Sequence, residues 1–212
     1  MRAALVLTIL VGMACKQGGA ADPQPGSGSS GSAVVPEDNR EQARFDSERR
    51  PEKVVEALGI GPGSRVADIG AGSGLLTVHL ARAVAPNGRV IATDIDGGVL
   101  DLLAQRLKAA GLSQVVERRV VDADKPELED GAYDAILLAE VDHYFKDPAQ
   151  WLREVTPALK PGGRIVISNR VYHRAQSMAA AKKAGLVLKS ESNPVSTHFI
   201  AVFVAGDSKD KK

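Results

Sequence analysis

The sequence holds a single cysteine, Cys15, which rules out an internal disulfide framework and any cysteine-based metal cluster. Its four histidines show no ligand spacing and no His-Glu-x-x-His is present, so no metal site is expected. Aromatic residues make up only 4% of the chain, which leaves the core to aliphatic helix–sheet packing. Charge of one sign is also missing. The net charge is +1, with no basic stripe interleaved with aromatics, so a broad nucleic-acid footprint is excluded. The longest apolar run, residues 3–14, falls short of the roughly 20 residues that cross a bilayer as a helix. With 212 residues and a non-globular start, there is room for one domain of ordinary size.

That apolar run follows a basic Met1-Arg2 and ends at Gly12-Met13-Ala14-Cys15. It has the length of a secretory h-region and resembles a bacterial lipoprotein signal, in which the cysteine is lipidated and becomes the first mature residue. Gly12 departs from that pattern, standing where leucine is usual. Residues 1–15 are therefore read as a signal. Residues 16–35, rich in Gly, Ser, Pro and Ala, are read as a flexible linker with an end-to-end span of about 25 Å. This predicts a membrane-anchored, extracytoplasmic protein, held at the membrane only through a lipidated Cys15 or an N-terminal anchor. A cytoplasmic enzyme with a non-functional signal is the alternative.

The domain, residues 36–206, is organised around Arg65-Val66-Ala67-Asp68-Ile69-Gly70-Ala71-Gly72-Ser73-Gly74. The apolar run lacks clean alternation, as suits a parallel strand buried on both faces. Glycines at every second position allow positive φ and close approach of backbone to a ligand, and a helical pattern from Leu75 would place a helix N-terminus behind them. A dinucleotide fingerprint would need its last glycine at Leu75, and Asp68 beside the loop suits a cationic ligand better than a pyrophosphate.

The pattern resembles the first motif of class I S-adenosylmethionine (SAM) dependent methyltransferases. Arg89-Val90-Ile91-Ala92-Thr93 reads as the second strand, ending at Asp94, which lies beside the glycine loop and can accept from ribose hydroxyls. Thr93-Asp94-Ile95-Asp96 is similar to the family's next motif. The resemblance implies Asp94 on the ribose and Ile95 on the adenine, with Asp96 favoured as a helix cap. A third strand over residues 115–121 carries Glu117-Arg118-Arg119, which fits a sheet edge. After it, Asp122-Ala123-Asp124 resembles the segment that reads the adenine amino group, or is simply an Asp-rich turn. Leu159-Lys160-Pro161-Gly162-Gly163 resembles the stretch that ends the penultimate helix and starts the fifth strand in many class I methyltransferases.

The implied fold is α/β, a doubly wound, mostly parallel seven-stranded sheet of Rossmann-like methyltransferase type, with strands over residues 186–190 and 197–203 forming a C-terminal antiparallel hairpin. Residues 207–212 are a charged tail. The leading helix would cover the cofactor through Phe45 or Arg49, or simply pack. The set expected to hold SAM is Asp68, Gly70, Ala71, Gly72, Gly74, Asp94, Ile95, Asp122, Ala123 and Glu140.

The fourth strand delivers Glu140-Val141-Asp142-His143-Tyr144-Phe145. Quinone-biosynthesis-like methyltransferases carry an acid and a pair of histidines at this point; here the second histidine is Tyr144. His143 and Glu140 are the candidate bases, should the acceptor have to lose a proton. The expected reaction is methyl transfer to a small molecule by in-line displacement. The region between the fifth strand and the next helix is short, so a non-catalytic module retaining the fold, binding SAM or another nucleotide, is the second reading. An NAD-dependent oxidoreductase is the third, disfavoured by Leu75 and Asp68.

Overall fold

Two helices lead the domain. In the computed structural model, which describes residues 37–206, α1 (Glu37–Arg49) turns Gln42, Phe45, Asp46 and Arg49 inward, at the spacing of one helical face. Only Phe45 of these is apolar, so polar contacts hold the helix down. Gln42 Nε2 donates to the Leu75 carbonyl at 3.0 Å, and Asp46 Oδ1 lies 2.8 Å from His79 Nε2. α2 (Pro51–Leu58) starts on a proline, buries Val54 and Leu58, and stops at Gly59 with φ of 59°. The signal, linker and tail expected over residues 1–35 and 207–212 lie outside the described residues.

The chain then alternates: β1 (Arg65–Ile69), α3 (Thr77–Val84), β2 (Arg89–Asp94), α4 (Gly97–Ala109), β3 (Val116–Val120), β4 (Tyr133–Ala139), α5 (Pro148–Val155), β5 (Leu159–Arg170), α6 (Arg174–Lys183), β6 (Leu186–Val195) and β7 (His198–Ala205). The sheet order is β3-β2-β1-β4-β5-β7-β6. β1 to β5 run parallel, and β7 inserts antiparallel between β5 and β6. The seven-stranded, doubly wound sheet with a terminal hairpin is thus the architecture found.

Strand periodicity divides the core. Val66, Val90, Leu137 and Val166 face α2, α3 and α4, whereas Ala67, Ile91, Ile136 and Ile165 face α5 and α6. Because both faces are covered, the central strands bury apolar residues on both sides, which is why clean alternation was absent from the sequence. β3 forms one edge, with Glu117 and Arg118 exposed. Asp96 caps α4, its Oδ1 accepting from Gly98 N–H at 2.7 Å.

Several boundaries differ from expectation. The helix after the glycine loop begins at Thr77, not Leu75, and α5 ends at Val155, short of Leu159. Leu159 to Gly163 already belong to β5, where the ladder with β4 slips between Tyr133 and Ala135 to absorb a proline that cannot donate. The hairpin strands are longer than the apolar pattern indicated, because β6 carries Lys189, Glu191 and Asn193 along an exposed edge. Among the described residues no helix is long and apolar enough to cross a membrane.

Candidate cofactor and acceptor site

The strand order reverses between β1 and β4, and open α/β sheets bind their ligands at the carboxyl ends of such a pair. β1 ends in the glycine loop. Gly70 has φ of 69°, and a Cβ there would meet Val141 Cγ2 at 2.7 Å; at Gly74, φ is 84° and a Cβ would meet Leu103 Cδ1 at 2.1 Å. Both positions therefore demand glycine for conformation and for space. The loop amides are used within the protein: Ala71 N–H donates to the Thr93 carbonyl (2.9 Å), Gly74 N–H to the Ala71 carbonyl (3.1 Å) and Gly72 N–H to Asp94 Oδ2 (2.9 Å). The expected row of free helix-terminal N–H groups is not what this loop presents. Arg106 of α4 donates from Nε to the Ser73 carbonyl at 3.0 Å and so ties α4 to the loop.

Two cavities meet at Gly70 and Glu140. The larger, about 420 Å3, is walled by Asp94, Ile95, Asp122, Ala123 and the aromatic side of the loop after β4. Ile95 is 66% exposed, an apolar surface offered to this space. Thr93 also lines it, and its buried Oγ1 has no hydrogen-bond partner. Asp122 lines the same cavity while accepting from Asp124 N–H (3.2 Å) and facing Lys125 at 3.7 Å, so it is an Asp-turn residue and a wall residue at once. The smaller cavity, about 230 Å3, is bounded by Asp68, Gly70 to Gly74, and Phe45 and Arg49 of α1.

Asp68 is 2% exposed and accepts from Thr77 Oγ1 at 2.7 Å. Burial pushes its carboxyl up to about 6 against the pull of that hydrogen bond, and the charge of Asp94 adds to the rise.

Glu140 leaves β4 with φ of 52° and is gripped from three sides. Arg49 Nη1 donates to its Oε2 (2.7 Å); Arg170 Nε (2.9 Å) and His198 Nε2 (3.0 Å) both reach Oε1. Burial alone would raise its pKa, but the His198 bond and the two guanidinium groups outweigh it and hold the carboxyl at about 2. Glu140 is thus a poor base. His198, whose pKa is lowered by burial, has Thr197 Oγ1 at 2.8 Å on its other nitrogen.

His143 does not line either cavity. Its Nδ1 lies 3.0 Å from Asn169 Nδ2, and that amide is oriented by two neighbours: Nδ2 donates to Asp142 Oδ1 (2.6 Å) and Oδ1 accepts from Arg170 N–H (2.7 Å). Nδ1 of His143 must therefore be the acceptor, which leaves the proton of the neutral ring on Nε2. The second imidazole missing from the sequence pair is supplied from elsewhere: His173 stacks on His143 at 4.0 Å and 17°. Burial, then the neighbouring His173, lower the pKa of His143.

The structure brings Asp68, Gly70, Ala71, Gly72, Gly74 and Glu140 around one cavity, and Asp94, Ile95, Asp122, Ala123 and Glu140 around the other. It sets His143 apart. Arg170, His198, Asn169 and His173 were missed; a histidine among the apolar residues of the last strand was the one local signal.

Residues 67–165 match the family described as "Methyltransferase domain". That match spans just under half of the chain, and the sheet order is that of the class I methyltransferase fold. The ubiquinone/menaquinone biosynthesis C-methyltransferase UbiE of Pseudomonas putida (strain GB-1) is 32% identical, covering 65% of this chain and 57% of its own. The chain thus spans a little over half the length of that curated relative. Among solved structures, a SAM dependent methyltransferase from Aquifex aeolicus superposes with a TM-score of 0.68 at 22% identity, over 77% of this chain and 96% of its own. Geranyl diphosphate C-methyltransferase from Streptomyces coelicolor A3(2), in complex with Mg2+, geranyl diphosphate and S-adenosyl-L-homocysteine, gives 0.64 at 18% identity, over 82% and 86%. The domain has residues that fit SAM, the cofactor its fold implies. A carboxylate stands at the end of β2 beside the glycine loop, Ile95 offers an apolar wall, Thr93 holds an unpartnered buried hydroxyl, and the buried carboxyl of Asp68 suits a cationic group.

Proposed function

We propose that this domain is a SAM-dependent methyltransferase acting on a small-molecule acceptor. Asp94 carries the reading: a carboxylate fixed between Gly72 N–H and Asp96 N–H, at the mouth of a cavity of nucleoside size, suits paired ribose hydroxyls. Ile95 then lies against the adenine and the Asp122-Ala123 segment along its edge. Asp68 answers the ammonium, and the bare backbone of Gly70 to Gly74 lets the methionyl part approach. When bound, SAM supplies an already activated methyl carbon. The protein's task is to orient the acceptor and exclude water, and such positioning accounts for large accelerations. Neither candidate base is well placed for more. Both Glu140 oxygens are occupied by donors, and His143 presents a protonated Nε2. The names of the Pseudomonas and Streptomyces relatives, which concern quinone biosynthesis and geranyl diphosphate, support a small-molecule acceptor.

The second reading, a cofactor-binding module without turnover, is favoured by one observation: α1 is clamped over the acceptor side through Arg49 and Glu140. The test is release of S-adenosylhomocysteine by the full chain across a panel of small hydroxyl, amine, thiol and activated-carbon acceptors. Turnover with any of them supports the enzyme, whereas SAM binding with none supports the module. Anchoring through a lipidated Cys15 is proposed on the signal-like residues 1–15 alone, and mass analysis of the membrane fraction for lipid on Cys15 tests it.

A further inference from the structure

A third cavity of about 600 Å3 opens beyond the glycine loop, sharing Phe45, Arg49 and Leu75 with the smaller cofactor cavity. Its volume suits a small organic molecule. The charges on its wall do not balance. Arg44 is paired with Glu48 at 2.9 Å, and Glu41 with Arg106 at 2.8 Å. Among the described residues, what remains is Arg49, Arg170 and His198, and these three share one carboxylate, that of Glu140. Arg49 and Arg170 thus set two guanidinium groups against one anion, a surplus of one positive charge beside the smaller cofactor cavity. Arg49 is largely buried and Arg170 stands half exposed at the rim, so one is a fixed donor and the other is open to exchange its partner.

We infer that the acceptor is a small-molecule oxyanion, a carboxylate or phosphate, that docks on Arg49 and Arg170 at the mouth of this cavity and takes over donors now held by Glu140. The inference rests on the methyl-transfer reading and names the substrate class of that same site. Guanidinium groups suit it because their planar forks match carboxylate and phosphate oxygens in pairs. Thr197 Oγ1 and His198 line the same wall and add polar partners without adding a competing negative charge.

The experiment is a calorimetric titration of the full chain with benzoate and phenyl phosphate, and with benzamide and benzyl alcohol as neutral counterparts. SAM affinity is measured in parallel on every variant. The oxyanions are expected to bind at least about tenfold tighter than their neutral counterparts, the effect of one charge-assisted contact. R170Q is expected to abolish that preference, and its SAM affinity is read separately because Arg170 reaches the cofactor cavities only through Glu140. E140Q, which withdraws the resident anion, is expected to tighten oxyanion binding. Equal binding of neutral and charged molecules, no binding of either oxyanion, or a preference untouched by R170Q overturns the inference. Retention of the preference by a chain that fails to bind SAM would instead strike at the methyl-transfer reading and leave the anion site standing.

Discussion

The carboxylate of Asp94, at the end of β2, accepts a hydrogen bond from the backbone N–H of Gly72 at 2.9 Å. The contact joins the loop after β1 to the end of the neighbouring strand, so the geometry of the glycines and the position of the acid are set together. Two substitutions in that loop separate folding from binding. In Gly74→Ala the new Cβ lies 2.1 Å from Leu103 Cδ1, a fully buried side chain, at φ of 84°. Strain and overpacking together are expected to cost about 2–4 kcal/mol in urea unfolding. Gly72→Ala has φ of 55° and meets nothing within 4 Å, so about 1 kcal/mol of strain is expected. Gly72→Ala is nonetheless expected to lose SAM affinity, because it lines the smaller cavity. Equal destabilisation by the two substitutions contradicts the packing described.

What the sequence made legible was local. The unalternating apolar run into Gly70-x-Gly72-x-Gly74, the Asp96 cap and the charged edge strand are each specified within a few residues, and all appear in the structure. The extent of β5 and β6 was not legible, because Pro161 and the charges of β6 read as breakers until a partner strand absorbs them. The surroundings of Glu140 were hidden for a different reason. Arg49, Arg170 and His198 come from α1, β5 and β7, and no spacing rule links positions that meet only through the sheet order. Likewise His143 looked like a free loop base until Asn169 and His173 arrived beside it.

Asp68 gives the folded domain a specific pH dependence. Its pKa rises from 3.8 to about 6, so between those values the folded protein keeps a proton that the unfolded chain has released. Stability therefore falls as pH rises through that window and is level above it. Relative to Asp68→Asn, the wild-type chain is expected to lose about 1.4 kcal/mol more between pH 5 and pH 8, measured by urea unfolding at both values. No difference in the two pH slopes would mean that the carboxyl is not desolvated.

Glu140 runs the other way. Its pKa is lowered to about 2 from 4.5, so its contribution is present above the unfolded value and is lost as pH falls through the folded one. Amide exchange along α1 is expected to stay protected at pH 4, relative to the intrinsic rate, and to lose that protection towards pH 2. At neutral pH, Glu140→Gln is expected to raise α1 exchange about tenfold while β1 and β4 are unaffected, because α1 has only Phe45 as an apolar anchor. Uniform loss of protection would place the network in the global core instead.

His143 should show its tautomer directly. Nitrogen spectra of the neutral ring are expected to report an unprotonated Nδ1 and a protonated Nε2, with Asn169→Leu restoring a mixture. A neutral ring protonated on Nδ1 in the wild-type chain would contradict the hydrogen-bond assignment and return His143 to the list of possible bases.

The central claim is that the ends of β1 and β2 together grip an adenosyl sulfonium, and calorimetric titration of the full chain and of Asp94→Ala with SAM and with NAD tests it most directly. The wild-type chain is expected to bind SAM and take up no NAD, and Asp94→Ala to lose about 1.5–3 kcal/mol in SAM affinity. Binding of NAD in preference to SAM, or SAM affinity unchanged in Asp94→Ala, would contradict it.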